Sequence, residues 1–285
     1  MAKSYDALSA GRRRGFPFAR FVIGLILAVL VFFPLWTNIS GSFKSTGQIF
    51  ADPFGVPRPF TLDSYAGVLG RTGAFWSFFL NSAVIAAFTI LITLFASILA
   101  GIALSRLRYR GRDLLFNFFV MGLLFPITVA ILPLYIQLRN FGLLGTRGGV
   151  VLAEAAFSLP FAIFVLTGFF RDIPWELQDA VSIDGGGILT FAFRVALPLS
   201  APVVTTVTII TLINSWNQFL LPLIVLDDAG SFTIPLGVMQ FQGQFTTGWN
   251  MIMALITISI VPVVLFYVFL QKYIVAGLTA GAVKG

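Results

Sequence analysis

The chain has 285 residues, of which 58% are hydrophobic and only 10% charged, with a formal net charge of +7. A soluble domain carries roughly 25% charged residues, so this chain cannot dress its surface for water and calls for a bilayer. Its lack of His and Cys excludes a Ser–His–Asp triad, a Cys nucleophile, a zinc cluster and a disulfide. No G-x-x-x-x-G-K-[ST] run occurs, so any ATP that drives the chain is bound by another polypeptide.

Residues 1–20 form a basic tail. A transmembrane helix needs about 20 predominantly apolar residues, and the charge-free run 21–43 predicts the first span over about 21–40. That run is too long for the roughly 7–15-residue core of a signal peptide and is expected to stay as an anchor. Residues 41–73 read as an outside loop, where the three prolines of "DPFGVPRPF" oppose helix and suit an extended or turn-rich path.

The second span is expected over about 76–104 and ends in the short inside loop "RLRYRGRD". The third covers about 114–137 with Pro126 and Pro133 inside it, which predicts a bend. The fourth runs over about 149–170 and carries Glu154 and Pro160. The inside segment 171–195 follows, then a fifth span to about 222, an outside stretch, and a sixth span at about 250–271. The prediction is an all-α polytopic membrane protein with six transmembrane helices.

Basic residues are retained on the cytoplasmic side. With the N-terminus inside, 13 Lys and Arg fall on inside segments and five (Lys44, Arg58, Arg71, Arg139 and Arg147) outside. This distribution predicts N-in, C-in topology, and it makes the +7 charge an orienting device rather than a nucleic-acid surface.

The segment "IPWELQDAVSIDGGG" (173–187) stands apart from its apolar surroundings. Pro174 suits the first turn of a helix, and Glu176 suits the positive end of its dipole. Leu177, Ala180, Val181 and Asp184 share one face by their spacing, and Gly185 to Gly187 stop the helix. About three turns of acidic helix are therefore expected at the cytoplasmic surface. They are too short to span and too acidic to seek anionic lipid, whereas the small Ala180 and the glycine stop suit docking into a partner's groove.

This segment resembles the cytoplasmic loop signature of the permease subunits of binding-protein-dependent ABC importers: E-A-A, three residues, G, nine residues, I-x-L-P. Here it falls on Asp179-Ala180-Val181, Gly185 and Val195-Ala196-Leu197-Pro198, with every spacing kept. Asp stands for Glu, and Val for the second Ala and for Ile. "FWSFFLNS" (75–82), "GIALSRLRYRGRD" (101–113), "SLPFAIFVLTGFFRDIPWEL" (158–177), "SWNQFLLPLIVL" (215–226) and "QKYIVAGLTAGAVKG" (271–285) are similar to the carbohydrate branch of that family, in its maltose-permease G-type subunit.

The resemblance implies a type I ABC importer transmembrane domain over 74–276, preceded by the first span with its loop (21–73) and followed by a cytoplasmic tail (277–285) that reaches the ATPase interface. It implies a coupling helix at about 174–185, with Glu176, Asp179, Ala180, Val181, Asp184, Gly185 and Pro198 linking the chain to an ATP-hydrolysing subunit. The implied partners are two copies of that ATPase, one homologous permease and an extracytoplasmic solute-binding protein, in a prokaryotic cell membrane. ATP and Mg belong to the ATPase subunits, so no cofactor and no catalysis are expected on this chain.

An ionisable residue within a span is a functional-site hypothesis, and Glu154 is the one well inside. It either faces the translocation pathway or snorkels to the surface. Asn214, Trp216, Asn217 and Gln218 cluster in the fifth span, and Asn81 and Ser82 lie near the outer end of the second. All are candidates either for substrate contact or for bonds between helices. The alternative function is a self-contained carrier coupled to protons or sodium, a class that often shows intramembrane acids and inverted repeats. One acid and no visible repeat weigh against it.

Overall fold

The computed structural model describes residues 17–71, 74–241 and 248–282. Most of the expected basic tail and the last three residues of the C-terminal tail lie outside them. The described residues are helical, with no strand among them. Four helices are long and apolar enough to cross a bilayer, and two sharply bent helix pairs bring the number of crossings up to six.

Helix α1 (Pro17–Gly41) exposes nearly its whole apolar surface; its outer end packs along the C-terminal helix and touches Phe54 of the outside loop. There the Asn38 amide donates to Thr257 Oγ1 at 2.9 Å. The outside loop carries more helix than its composition suggested. Ser45 and Gln48 form a reciprocal capping box that starts α2 (Thr46–Ala51), and α3 (Asp63–Ala66) continues into a π-helical turn, Gly67–Arg71. The proline-rich stretch between α2 and α3 is irregular. Lys44 is buried beneath it, with Nζ donating to the Asp52 carbonyl at 2.7 Å.

The centre of the molecule is the pair α4 (Ala74–Arg106) and α7 (Arg147–Asp172). On α4, Thr89, Thr93 and Ser97 are all buried. Their four-residue spacing places small polar side chains on one face, where small residues let membrane helices approach closely. Between these helices the single bent span expected over 114–137 is instead two helices, α5 (Arg112–Gly122) and α6 (Ile127–Asn140), meeting at 103°. Pro126 explains the break, because it disfavours helix at the residue before it and itself sits in extended backbone as the cap of α6. Pro133 is accommodated inside α6.

After α7 come α8 (Trp175–Ile183) and α9 (Ile188–Phe191), then a π-helical turn, Ala192–Ala196, and α10 (Leu197–Leu199). The path then bends by 77° into α11 (Ala201–Trp216). The fifth span does not run unbroken to 222: the helix stops at Trp216 and resumes as α12 (Leu220–Val225). A short α13 (Ile234–Gly237) and the long α14 (Trp249–Ala282) complete the chain. At the α8 end, Ile102, Leu166, Phe170, Phe191 and Val207 form one core cluster. At the opposite end, Ile85, Val150, Val225 and Leu236 form another.

Candidate functional site

Two features distinguish this helical frame: a polar cleft midway along it and the short helix α8 at its surface.

The break between α11 and α12 builds the cleft. Non-helical backbone at membrane depth is tolerated where it lines a cavity, and here the exposed polar groups are met by neighbouring side chains. Asn217 Nδ2 donates to the Ile213 carbonyl at 2.8 Å. Gln218 Oε1 accepts from the Leu220 amide at 3.1 Å, as an N-cap would. The resulting cavity, about 480 Å³, is lined among others by Glu154, Ser158, Thr211, Asn214, Asn217 and Gln218.

Glu154 lies at its wall, 4% exposed. That burial excludes the snorkelling alternative. Its Oε2 accepts from Thr89 Oγ1 on α4 at 3.1 Å and from Ser215 Oγ on α11, so one carboxyl ties three helices together. Oε1 is equally buried and makes no hydrogen bond. A buried polar atom without a partner is costly, and an entering hydroxyl would reach this one only as the cleft wall opens.

Asn214 and Asn217 line the same cleft; Asn81 and Trp216 do not. The Asn81 amide donates to the carbonyls of Gly230 at 2.8 Å and Phe232 at 2.9 Å, and Ser82 Oγ accepts from the Ile234 amide. Both side chains therefore pin the segment after α12 onto α4. Trp216 turns to the other side of α11, 6% exposed and edge-on to Phe79 at 5.6 Å. A helix sends adjacent residues to different faces, and where Trp216 meets Asn217 it is in a separate pocket, with Ile234, Val238 and Ile260. The hydroxyls of Thr89 and Ser215 are site residues that sequence reasoning passed over, although the Thr89–Thr93–Ser97 stripe was a legible sign of a helix contact.

Helix α8 matches the expected short helix, with Pro174 just before its first turn rather than in it. Its end is a Schellman arrangement: the Gly186 amide donates to the Val181 carbonyl at 2.8 Å and the Gly185 amide to the Ser182 carbonyl at 3.1 Å. Gly185 has φ +79°, a backbone that side chains beyond glycine and asparagine adopt at a cost. Gly186 is required for space, since a Cβ there would lie 2.7 Å from Val181 Cγ1.

The expected single face of α8 divides. Val181 turns inward against the Phe170–Phe191 cluster. Glu176, Asp179, Ala180 and Asp184 remain exposed, together with Ile183 at 86%. Pro198 lies apart, in α10 beside the 77° bend. Among the described residues no group of three His, Cys, Asp or Glu side chains could hold a metal ion.

Residues 92–280 match the family described as the binding-protein-dependent transport system inner membrane component. The chain is 32% identical over 257 residues to a probable ABC transporter permease protein, YurM, of Bacillus subtilis, covering 90% of this chain and 85% of the relative. It is also 32% identical to the diacetylchitobiose uptake system permease protein NgcG of Streptomyces coelicolor, covering 91% and 86%. Its fold superposes with a TM-score of 0.80, at 23% identity and over 90% of this chain and 95% of the other, on a bacterial ABC transporter involved in the import of the acidic polysaccharide alginate. The resemblance read from the loop signature is borne out, and the ion-coupled carrier is set aside. The chain belongs to the family of inner-membrane permease components of binding-protein-dependent ABC importers.

Proposed function

We propose that this permease forms half of the translocation pathway of an ATP-driven importer for a sugar or oligosaccharide, and that the Glu154 cleft lies on that pathway. The observation that carries this is the Glu154 carboxyl, with one oxygen fixed by Thr89 and Ser215 and the other unbonded at the wall of a cleft otherwise lined by amides and hydroxyls. Such a lining suits a polyhydroxylated solute: a carboxyl oxygen accepts from a sugar hydroxyl, while amides both donate and accept. Relatives named for diacetylchitobiose, starch degradation products and arabinooligosaccharides support glycosides as the class.

In this reading α8 is the coupling helix. Its exposed acids and Ala180 dock in a cleft of an ABC ATPase subunit, which holds ATP and Mg. The working assembly contains two ATPase copies, this chain, one homologous permease and an extracytoplasmic binding protein, with both chain termini inside.

Affinity purification of the tagged chain from its own membranes, with partners counted, tests the assembly. Recovery of two ATPase copies, a second permease and a binding protein is expected; recovery alone or as a homodimer, with no ATPase, would refute it. Uptake by the reconstituted assembly of diacetylchitobiose, maltotriose and arabinotriose then tests the cleft. If E154Q leaves rate and selectivity unchanged, the cleft is not on the pathway.

A further inference from the structure

Arg106 is the last residue of α4. Cations at the end of a span ordinarily reach for water, and Arg108 and Arg110, just beyond, are exposed. Arg106 is turned inward and is 3% exposed. Its Nη2 donates to the carbonyls of Phe170 and Ile173. Phe170 is within the last turn of α7, where carbonyls have no partner inside their own helix. The guanidinium also lies 4.8 Å from the ring centre of Trp175 and 5.3 Å from that of Phe191, within the range of a cation–π contact.

One side chain thus touches the end of α7, the first residue of α8 and the last residue of α9. Both flanks of the coupling helix rest on it. Nε and Nη1 are buried and make no hydrogen bond. A guanidinium has five donors in a rigid fork, and one that serves two arrangements of its neighbours needs more donors than either arrangement uses.

The connection onward to the cleft is continuous helix on both sides, with Pro160 inside the α7 stretch. Thr89 is seventeen residues back along α4 from Arg106, and Glu154 sixteen back along α7 from Phe170. Each stretch is roughly 25 Å of helix at about 1.5 Å per residue. Next to the clamp the two helices are in close contact: a Cβ on Gly101 would lie 3.1 Å from the Phe170 ring.

We propose that Arg106 is the positioning residue through which displacement of α8 moves α4 and α7 together, re-pairing its guanidinium with a second set of carbonyls as it does so. The proposal rests on the reading of α8 as the coupling helix. Trp175 transmits the pull to the cation, the cation holds the end of α7, and its own backbone carries α4.

The chain has no cysteine of its own, so Ser158→Cys places a single reporter thiol in the cleft. The complete importer, co-purified with its ATPase subunits and partner permease, is placed in nanodiscs and labelled with a charged methanethiosulfonate reagent, with and without ATP plus orthovanadate. With Arg106 present, nucleotide is expected to change the labelling rate by about fivefold or more, the lower range of measured couplings between sites. R106A and R106K are both expected to reduce that change to less than about twofold while ATP hydrolysis continues, because lysine keeps the charge but lacks the planar fork. W175F keeps a ring under the cation and is expected to respond as the parent does.

An undiminished response in R106A or R106K overturns the proposal. So does failure of both variants to assemble with the ATPase, which would make Arg106 a folding residue. Absence of any nucleotide response in the parent Ser158→Cys protein instead refutes the reading of α8 and the cleft, and this inference falls with it.

Discussion

The coupling segment and the Glu154 cleft are both polar features in an apolar chain, yet they are built in opposite ways. Residues 173–187 make their structure locally: an acid in the first turn, a helix of nine residues and a Schellman end formed by adjacent glycines. The cleft has almost no local cause. It needs α4, α7 and α11 side by side before Thr89, Glu154 and Ser215 can meet. A local device should fail from one backbone change, whereas a convergent one should degrade by degrees as individual contacts are removed.

The largest effect is therefore expected at Gly185. G185V forces a β-branched residue into a backbone at φ +79°, which costs at least about 1–2 kcal/mol and unwinds the end of α8. Uptake should fall to background while the protein still reaches the membrane at normal level, measured by transport and immunoblot together. G185N is the sharpening partner, because asparagine adopts this backbone more readily, and it should keep most of the uptake. Normal uptake by G185V would remove the coupling assignment.

A graded effect is expected at the cleft. E154Q preserves shape and leaves one oxygen to accept from Thr89 and Ser215, while replacing the other with a donor. Uptake should fall about tenfold, equivalent to about 1.4 kcal/mol in the rate-limiting barrier, with unstimulated ATP hydrolysis unaffected. S215A, which removes one of the two bonds to Oε2, should give a smaller loss. A total loss from S215A would mean that the cleft is as brittle as the coupling segment.

The same contrast explains what the sequence disclosed. The short helix, its acidic start and its glycine stop were legible because neighbouring residues cause them. The number and rough position of the spans were legible because each is a long apolar run, charge-free except for Glu154 in the fourth. The break at Asn217–Phe219 went unread, although Pro222 in the first turn of α12 would set its ring against the Gln218 carbonyl of an unbroken helix. It depends on Asn217 and Gln218 satisfying backbone groups, a role that looks identical in sequence to lining a pathway. Asn81 and Trp216 carried the same ambiguity; in the fold Asn81 bonds two carbonyls after α12 and Trp216 meets Phe79 edge-on. Proline marked the α5–α6 break, but a 103° corner and a mild bend have the same residue signal. The inward turn of Arg106, amid four closely spaced arginines, depends on carbonyls and rings more than sixty residues away.

A residue that pins rather than lines should affect stability and spare selectivity. N81A removes two hydrogen bonds to the segment after α12. It should lower thermal stability in detergent by the equivalent of about 1–3 kcal/mol, the range for losing net hydrogen bonds and leaving carbonyls unpartnered. Relative uptake of different oligosaccharides should not change. A shift in selectivity would return Asn81 to the pathway.

The smallest effect is expected at an ion pair on the same membrane edge as Arg106. Arg171 lies 3.8 Å from Asp113, with side chains 38% and 75% exposed, and 4.6 Å from the Phe116 ring centre. Solvent-exposed pairs contribute about 0–1 kcal/mol, and the ring contact stays when the carboxylate is removed. D113N should therefore change thermal stability by less than about 0.5 kcal/mol and leave uptake and nucleotide-dependent labelling of the cleft unaltered. Arg171 and Arg106 bear the same charge at the same end of adjacent helices, and they differ in whether water or protein surrounds the guanidinium. If D113N disturbed coupling as much as R106A, charge at this edge would be the operative quantity, and the buried geometry of Arg106 would not matter.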